Sequence, residues 1–90
     1  MYIKVDIKII PLASKKLKLR KISEDMLAET VKNPYRIVKG YGNRIVRQKI
    51  YTIDNKKKLL RVICEEDEGS IIIVTAYLTS QIKKYLRQGN

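Results

Sequence analysis

The stretch that decides the fold is RIVRQKIYTI (44–53), DNKK (54–57), KLLRVICE (58–65), EDEG (66–69) and SIIIVTAYL (70–78). Three runs rich in β-branched residues alternate with two clusters of Asp, Asn, Lys and Gly. Each run has strand length, and each cluster has turn chemistry. Consecutive strands joined by short turns pair antiparallel, as a meander. In the last run Ile71, Ile72, Ile73 and Val74 are apolar at every position. Such a strand is covered on both faces, so it is expected in the sheet interior.

Upstream, Tyr35 to Lys39 reads as a further strand, followed by a turn at Gly40-Tyr41-Gly42-Asn43. Before it the period changes to that of a helix. Ser23 is a good N-cap, and Glu24 and Asp25 fall in the first turn, where the helix dipole favours anions. Ile22 and Leu27 have staple spacing. Met26, Leu27, Thr30 and Val31 give the inward stripe, and Asn33-Pro34 ends the helix. An earlier helix opens at Pro11, with Leu12, Leu19 and Ile22 as its stripe. Ile3, Val5, Ile7 and Ile9 alternate with charged residues as a first strand. Downstream, Thr79 or Ser80 caps a last helix with Ile82, Tyr85 and Leu86 inward and Gly89 just past its end. The expected fold is one α+β domain over residues 1–90, in the order β-α-α-β-β-β-β-α. Its antiparallel twisted sheet carries two helices on one face.

Alternation along the strands assigns side chains to faces. If register keeps core opposite core, odd residues pair with odd residues, and the even-numbered Val46, Ile50, Leu60, Val62, Cys64, Ile72, Val74 and Ala76 are expected under the first two helices. Gln48 and Thr52 interrupt that set. The odd-numbered Arg47, Lys49, Tyr51, Arg61, Thr75 and Tyr77 then share the other face. Like charges opposed across strands destabilise a sheet. A phosphate among them would offset the repulsion. The plainer reading is a solvated basic face neutralised by counterions. Cys64 reads as a buried thiol, the acidic run Glu65 to Glu68 as a solvated turn, and Gly40 and Gly42 as turn residues rather than a phosphate loop.

Composition narrows the chemistry. Ninety residues hold twenty Lys and Arg against nine Asp and Glu, for a net charge of +11. Residues 1–33 carry +4, residues 34–64 carry +8 and residues 65–90 carry −1. A basic patch concentrates and steers polyanions. There is no His and a single Cys. Internal disulfides, Cys/His zinc sites and His-based triads are excluded. No cofactor or metal is expected. The N-terminal alternation is unlike a signal peptide, and no apolar run approaches a membrane span. A cytoplasmic protein without membrane partners is expected.

Four elements recur in a family of small bacterial and archaeal domains of unknown function. They are Arg20-Lys21-Ile22-Ser23, Asn33-Pro34, Leu60-Arg61-Val62 and Val74-Thr75-Ala76-Tyr77. The chain resembles that family over about residues 11–79, and the family is similar to the RelE/ParE toxin superfamily. The resemblance implies a basic α+β toxin-like domain, acting on ribosome-bound mRNA or on gyrase, with an acidic antitoxin as partner. Two positions depart from the pattern. Leu12 stands where the family has His, and Lys21 where it has Gly, which implies a different helix junction.

Two functional readings follow. The first is an RNA-binding toxin, a metal-independent endoribonuclease if catalytic. In it Arg61, Lys49 and Tyr77 do the chemistry, and Arg47, Arg44, Arg36, Tyr51, Thr75 and Tyr85 hold the nucleic acid. The second is a non-catalytic module that docks an acidic antitoxin-like protein or forms a homodimer, through Ile45, Ile53, Ile63, Ile71 and Ile73 among the basic residues.

Overall fold

Strand β1 (Asp6–Ile9) leads into helices α1 (Pro11–Leu19) and α2 (Glu24–Lys32). Strands β2 (Arg36–Lys39), β3 (Arg44–Ile53), β4 (Lys56–Asp67) and β5 (Ser70–Thr79) follow, then helix α3 (Ile82–Leu86). The structure is a computed structural model that describes residues 6–87. The expected strand residues Ile3 and Val5, and Gly89, lie outside them. The element order is the one read from the sequence. No described helix is long and apolar enough to cross a membrane.

The five strands lie in the order β1-β5-β4-β3-β2. Strands β2 to β5 form the expected meander, but β1 pairs parallel with β5, so the sheet is mixed rather than purely antiparallel. Three hairpin reversals separate β2 from β5, which therefore point in opposite directions. Because β1 runs with β5, β2 runs opposite to β1, and the α1–α2 pair carries the chain from one edge of the sheet to the other. Strand β5 is interior, between β1 and β4, which explains its two-faced apolar run.

Both long hairpins have turns of two residues. Ile53 pairs with Lys56 around Asp54 and Asn55, whose φ values are 52° and 64°. Asp67 pairs with Ser70 around Glu68 and Gly69, at 43° and 85°. Positive φ at both central residues is the type I′ geometry, whose twist matches that of paired strands. The expected four-residue turns are thus corrected, and both strands of the first hairpin run to its tip.

This register corrects the face assignment. Arg47 pairs with Val62, Lys49 with Leu60 and Gln48 with Arg61. Odd residues of β3 therefore share a face with even residues of β4. Strand β5 adds a bulge beside Ile63 and Cys64, which brings Ile73 and Ile71 onto the face of Cys64. That face carries the core: Leu60, Val62, Cys64, Ile71, Ile73 and Ala76 against Leu17, Ile22, Leu27 and Val31. Fully burying a Leu or Ile contributes roughly 1.5–3 kcal/mol. Val46 and Ile50 fall on the opposite face instead.

Helix α2 follows its sequence signals. The Ser23 hydroxyl accepts the Met26 N–H at 3.1 Å. Leu27, Thr30 and Val31 are buried, and the helix stops before Asn33-Pro34. Helix α1 is rotated relative to expectation. Ala13 and Leu17 face the core, whereas Leu12 and Leu19 are 65% and 82% exposed. Its C-terminus is a Schellman motif: the Ile22 N–H donates to Leu17 O and the Lys21 N–H to Lys18 O. Ile22 and Leu17, the apolar pair of that motif, are both buried. Lys21 takes the left-handed position at φ 58°. The helix junction is therefore one that glycine suits, with lysine in its place.

Candidate nucleic-acid interface

The alternating basic residues of β3 meet α2. Arg47 Nη1 donates to Val31 O at 3.1 Å, and Lys49 Nζ to Asn33 O at 3.1 Å. The Tyr51 hydroxyl contacts Met26 O, Glu29 Oε1 and Thr30 Oγ1. The last carbonyls of a helix have no partner within it, and cations there also suit its dipole. Arg47 and Lys49 supply that partnership from the strand below. Arg47 also pairs with Glu66 at 2.7 Å, and its side chain is nearly buried. Burial raises the Tyr51 pKa, and its bond to Glu29 raises it further. Arg47, Lys49 and Tyr51 thus anchor a helix, on the face away from Arg61.

The other face carries a row of side chains directly across four strands. Arg36 on β2 pairs with Gln48 on β3, Gln48 with Arg61 on β4, and Arg61 with Tyr77 on β5. Neighbouring strands are about 4.8 Å apart, so two arginines flank one amide within about 10 Å. Arg61 Nε donates to Gln48 Oε1 at 2.7 Å, and Arg61 Nη1 bonds the Tyr77 hydroxyl. Helix α3 lies over the row. The Arg61 guanidinium carbon sits 4.0 Å from the Tyr85 ring centroid and 5.6 Å from that of Tyr77, within cation–π range. The two tyrosine rings meet edge to face at 6.4 Å. Arg36 Nη1 donates to Leu86 O, which ties α3 to β2. Gln48 is fully buried, and its Nε2 has no partner among the described residues.

The two tyrosines are pushed apart in acidity. Hydrogen bonding to Tyr77 favours the Tyr85 phenolate, Lys84 and Arg61 add to this, and desolvation opposes it; the net shift is downward from 10.0. Burial holds the Tyr77 pKa up, and its contact with Tyr85 adds to this against the pull of Arg61.

Beside the row lies an open groove of about 440 Å³, lined by Lys39, Gly40, Tyr41, Gly42, Val46 and Arg61. Of the residues expected at a site, Arg61, Tyr77, Tyr85 and Arg36 come together here. Arg44 lies on the same face but pairs with Glu65 at 3.4 Å. Thr75 accepts from Arg20 at 3.4 Å. Gln48, Lys39 and Tyr41 are additions. Two-residue turns at 54–55 and 68–69 would have placed Gln48 in the row, because they fix which residues stand opposite each other.

A family model described as a domain of unknown function, DUF4258, matches residues 13–78. The chain belongs to the DUF4258 family. No curated protein and no solved structure matches it. The DUF4258 match runs from α1 into β5 and contains Arg36, Gln48, Arg61 and Tyr77, while Tyr85 lies beyond it.

Proposed function

We propose that this DUF4258 domain is a toxin-like RNA-binding protein of RelE/ParE type, working through the sheet face under α3. The observation that carries the reading is the Arg36-Gln48-Arg61-Tyr77 row. It gathers two guanidinium groups and a buried amide beside an open groove that Arg61 lines. Arg61 holds two internal bonds through Nε and Nη1, which leaves Nη2 for a phosphate oxygen. The Tyr85 ring centroid lies 4.0 Å from the guanidinium carbon, and the ring holds it by a cation–π contact.

The same face offers metal-independent RNA cleavage. Paired groups whose environments drive their pKa values apart suit opposite acid–base roles. Tyr85 as phenolate takes the proton of the 2′-hydroxyl, and the 2′-oxygen attacks phosphorus. The bond from phosphorus to the 5′-oxygen breaks, leaving a 2′,3′-cyclic phosphate. The departing 5′-oxygen takes its proton from the Tyr77 hydroxyl. Arg61 stabilises the added negative charge at phosphorus. Lys49 has no part in this scheme, since it sits under α2.

The test is ribosome-dependent mRNA cleavage, together with growth on induction of the wild type and Arg61→Ala. Cleavage and toxicity that Arg61→Ala removes are expected. Folded protein that neither cuts nor inhibits growth would overturn the enzymatic reading. A second reading rests on the edge strand β2 and the residue before it, where Ile37 and Tyr35 are 49% and 66% exposed. Those residues suit an acidic partner of antitoxin type, or a second copy, adding a strand there. Binding of such a partner would survive high salt, whereas RNA binding would not.

A further inference from the structure

We propose that Tyr41 is a stacking platform for an unpaired base, so that the groove selects single-stranded over double-stranded RNA. The inference rests on the RNA reading above and names the form of RNA that the site takes.

Tyr41 is 95% exposed, and nothing in the core holds its ring. Its backbone is nonetheless fixed. The Gly40 N–H donates to Arg44 O at 2.9 Å, and the Arg44 N–H to Tyr41 O at 3.0 Å. A Cβ on Gly40 would lie 3.3 Å from both Arg44 O and Val46 Cγ2, so the turn lies close against β3. Gly42 takes φ 60° with open space around it. A tight turn thus presents a bare aromatic ring between two residues without side chains. The ring lines the same groove as Arg61 and Lys39.

Cations that track a phosphate backbone, with an aromatic face beside them, form the recurring geometry for single strands. Stacking tolerates any base, because every base has a π-face. In a duplex the bases are already stacked, so the ring would gain nothing. The groove is open and shallow, which suits a base laid flat rather than a closed nucleotide cavity.

The test compares labelled oligouridylate, its duplex with oligoadenylate, and inorganic polyphosphate at one salt concentration. The variants are Tyr41→Ala, Tyr41→Phe and Arg61→Ala, each checked by thermal melting. The wild type is expected to prefer oligouridylate to the duplex. Tyr41→Ala should lose about ten-fold in affinity for oligouridylate and nothing for polyphosphate, while Tyr41→Phe should keep the wild-type value. Oligouridylate affinity unchanged in Tyr41→Ala but lowered in Arg61→Ala would overturn the stacking inference and leave the RNA reading standing. Equal losses on polyphosphate, or a loss in Tyr41→Phe, would also overturn it. Wild-type protein that binds none of the three probes would overturn both.

Discussion

Arg61 is oriented before any ligand arrives, by Gln48, Tyr77 and the ring of Tyr85. Replacing it with Lys keeps the charge but loses the planar fork, so Arg61→Lys should bind RNA more weakly than wild type in a filter-binding titration. The acidity of Tyr85 gives a pH signature. In the proposed cleavage Tyr85 is the base and acts when deprotonated, so the rate should rise with pH along a limb whose apparent pKa lies below 10, and Tyr85→Phe should abolish that limb. Cys64 behaves oppositely. It is buried, and desolvation pushes its pKa to about 11, so its thiolate is scarce at neutral pH. A thiol reagent should label it at the rate of unfolding, and at once in denaturant. Cys64 was legible from its apolar neighbours. Arg47, Lys49 and Tyr51 were not, because their alternation reads the same whether a helix or solvent lies above them.

At the scale of elements, the junction between α1 and α2 offers the clearest gain. Lys21 at φ 58° adopts a conformation that costs an L-residue on the order of 1–2 kcal/mol, and glycine avoids that cost. Lys21→Gly should raise stability by about 1 kcal/mol, which corresponds to roughly 4–8 °C in Tm for a domain of this size. The α2 anchor predicts the opposite sign. Arg47→Ala removes charge-assisted bonds to Val31 O and Glu66 and should cost about 2 kcal/mol in urea unfolding. Its effect on RNA affinity should fall well short of that of Arg61→Ala. The elements themselves were readable, since Ser23, Asn33-Pro34 and Asp54-Asn55 each carry a local rule. Their mutual register was not. A single parity for the core does not hold from β3 to β4, since a turn of two or of four residues sets odd opposite even, and Lys56 and Lys57, which fit both strand and turn, leave the partners ambiguous by two residues.

The whole molecule divides its charge between two jobs. Of the central basic residues, Arg47 and Lys49 serve the helix layer, while Arg36 and Arg61 serve the opposite face. The salt dependence of the proposed RNA binding should therefore report fewer phosphate contacts than the net charge of +11 implies. Arg61→Ala should lower the log–log slope by about one, and Lys49→Ala should leave it nearly unchanged. The pairing of β1 with β5 carries a further consequence, for synthesis. Strands β2 to β5 can zip hairpin by hairpin as they leave the ribosome. The partner of Asp6 is Ser70, made 64 residues later, so β1 leaves the ribosome well before the strand it pairs with. Its edge is open to other chains during that interval, and of the five strands described the first made is the last to find its partner.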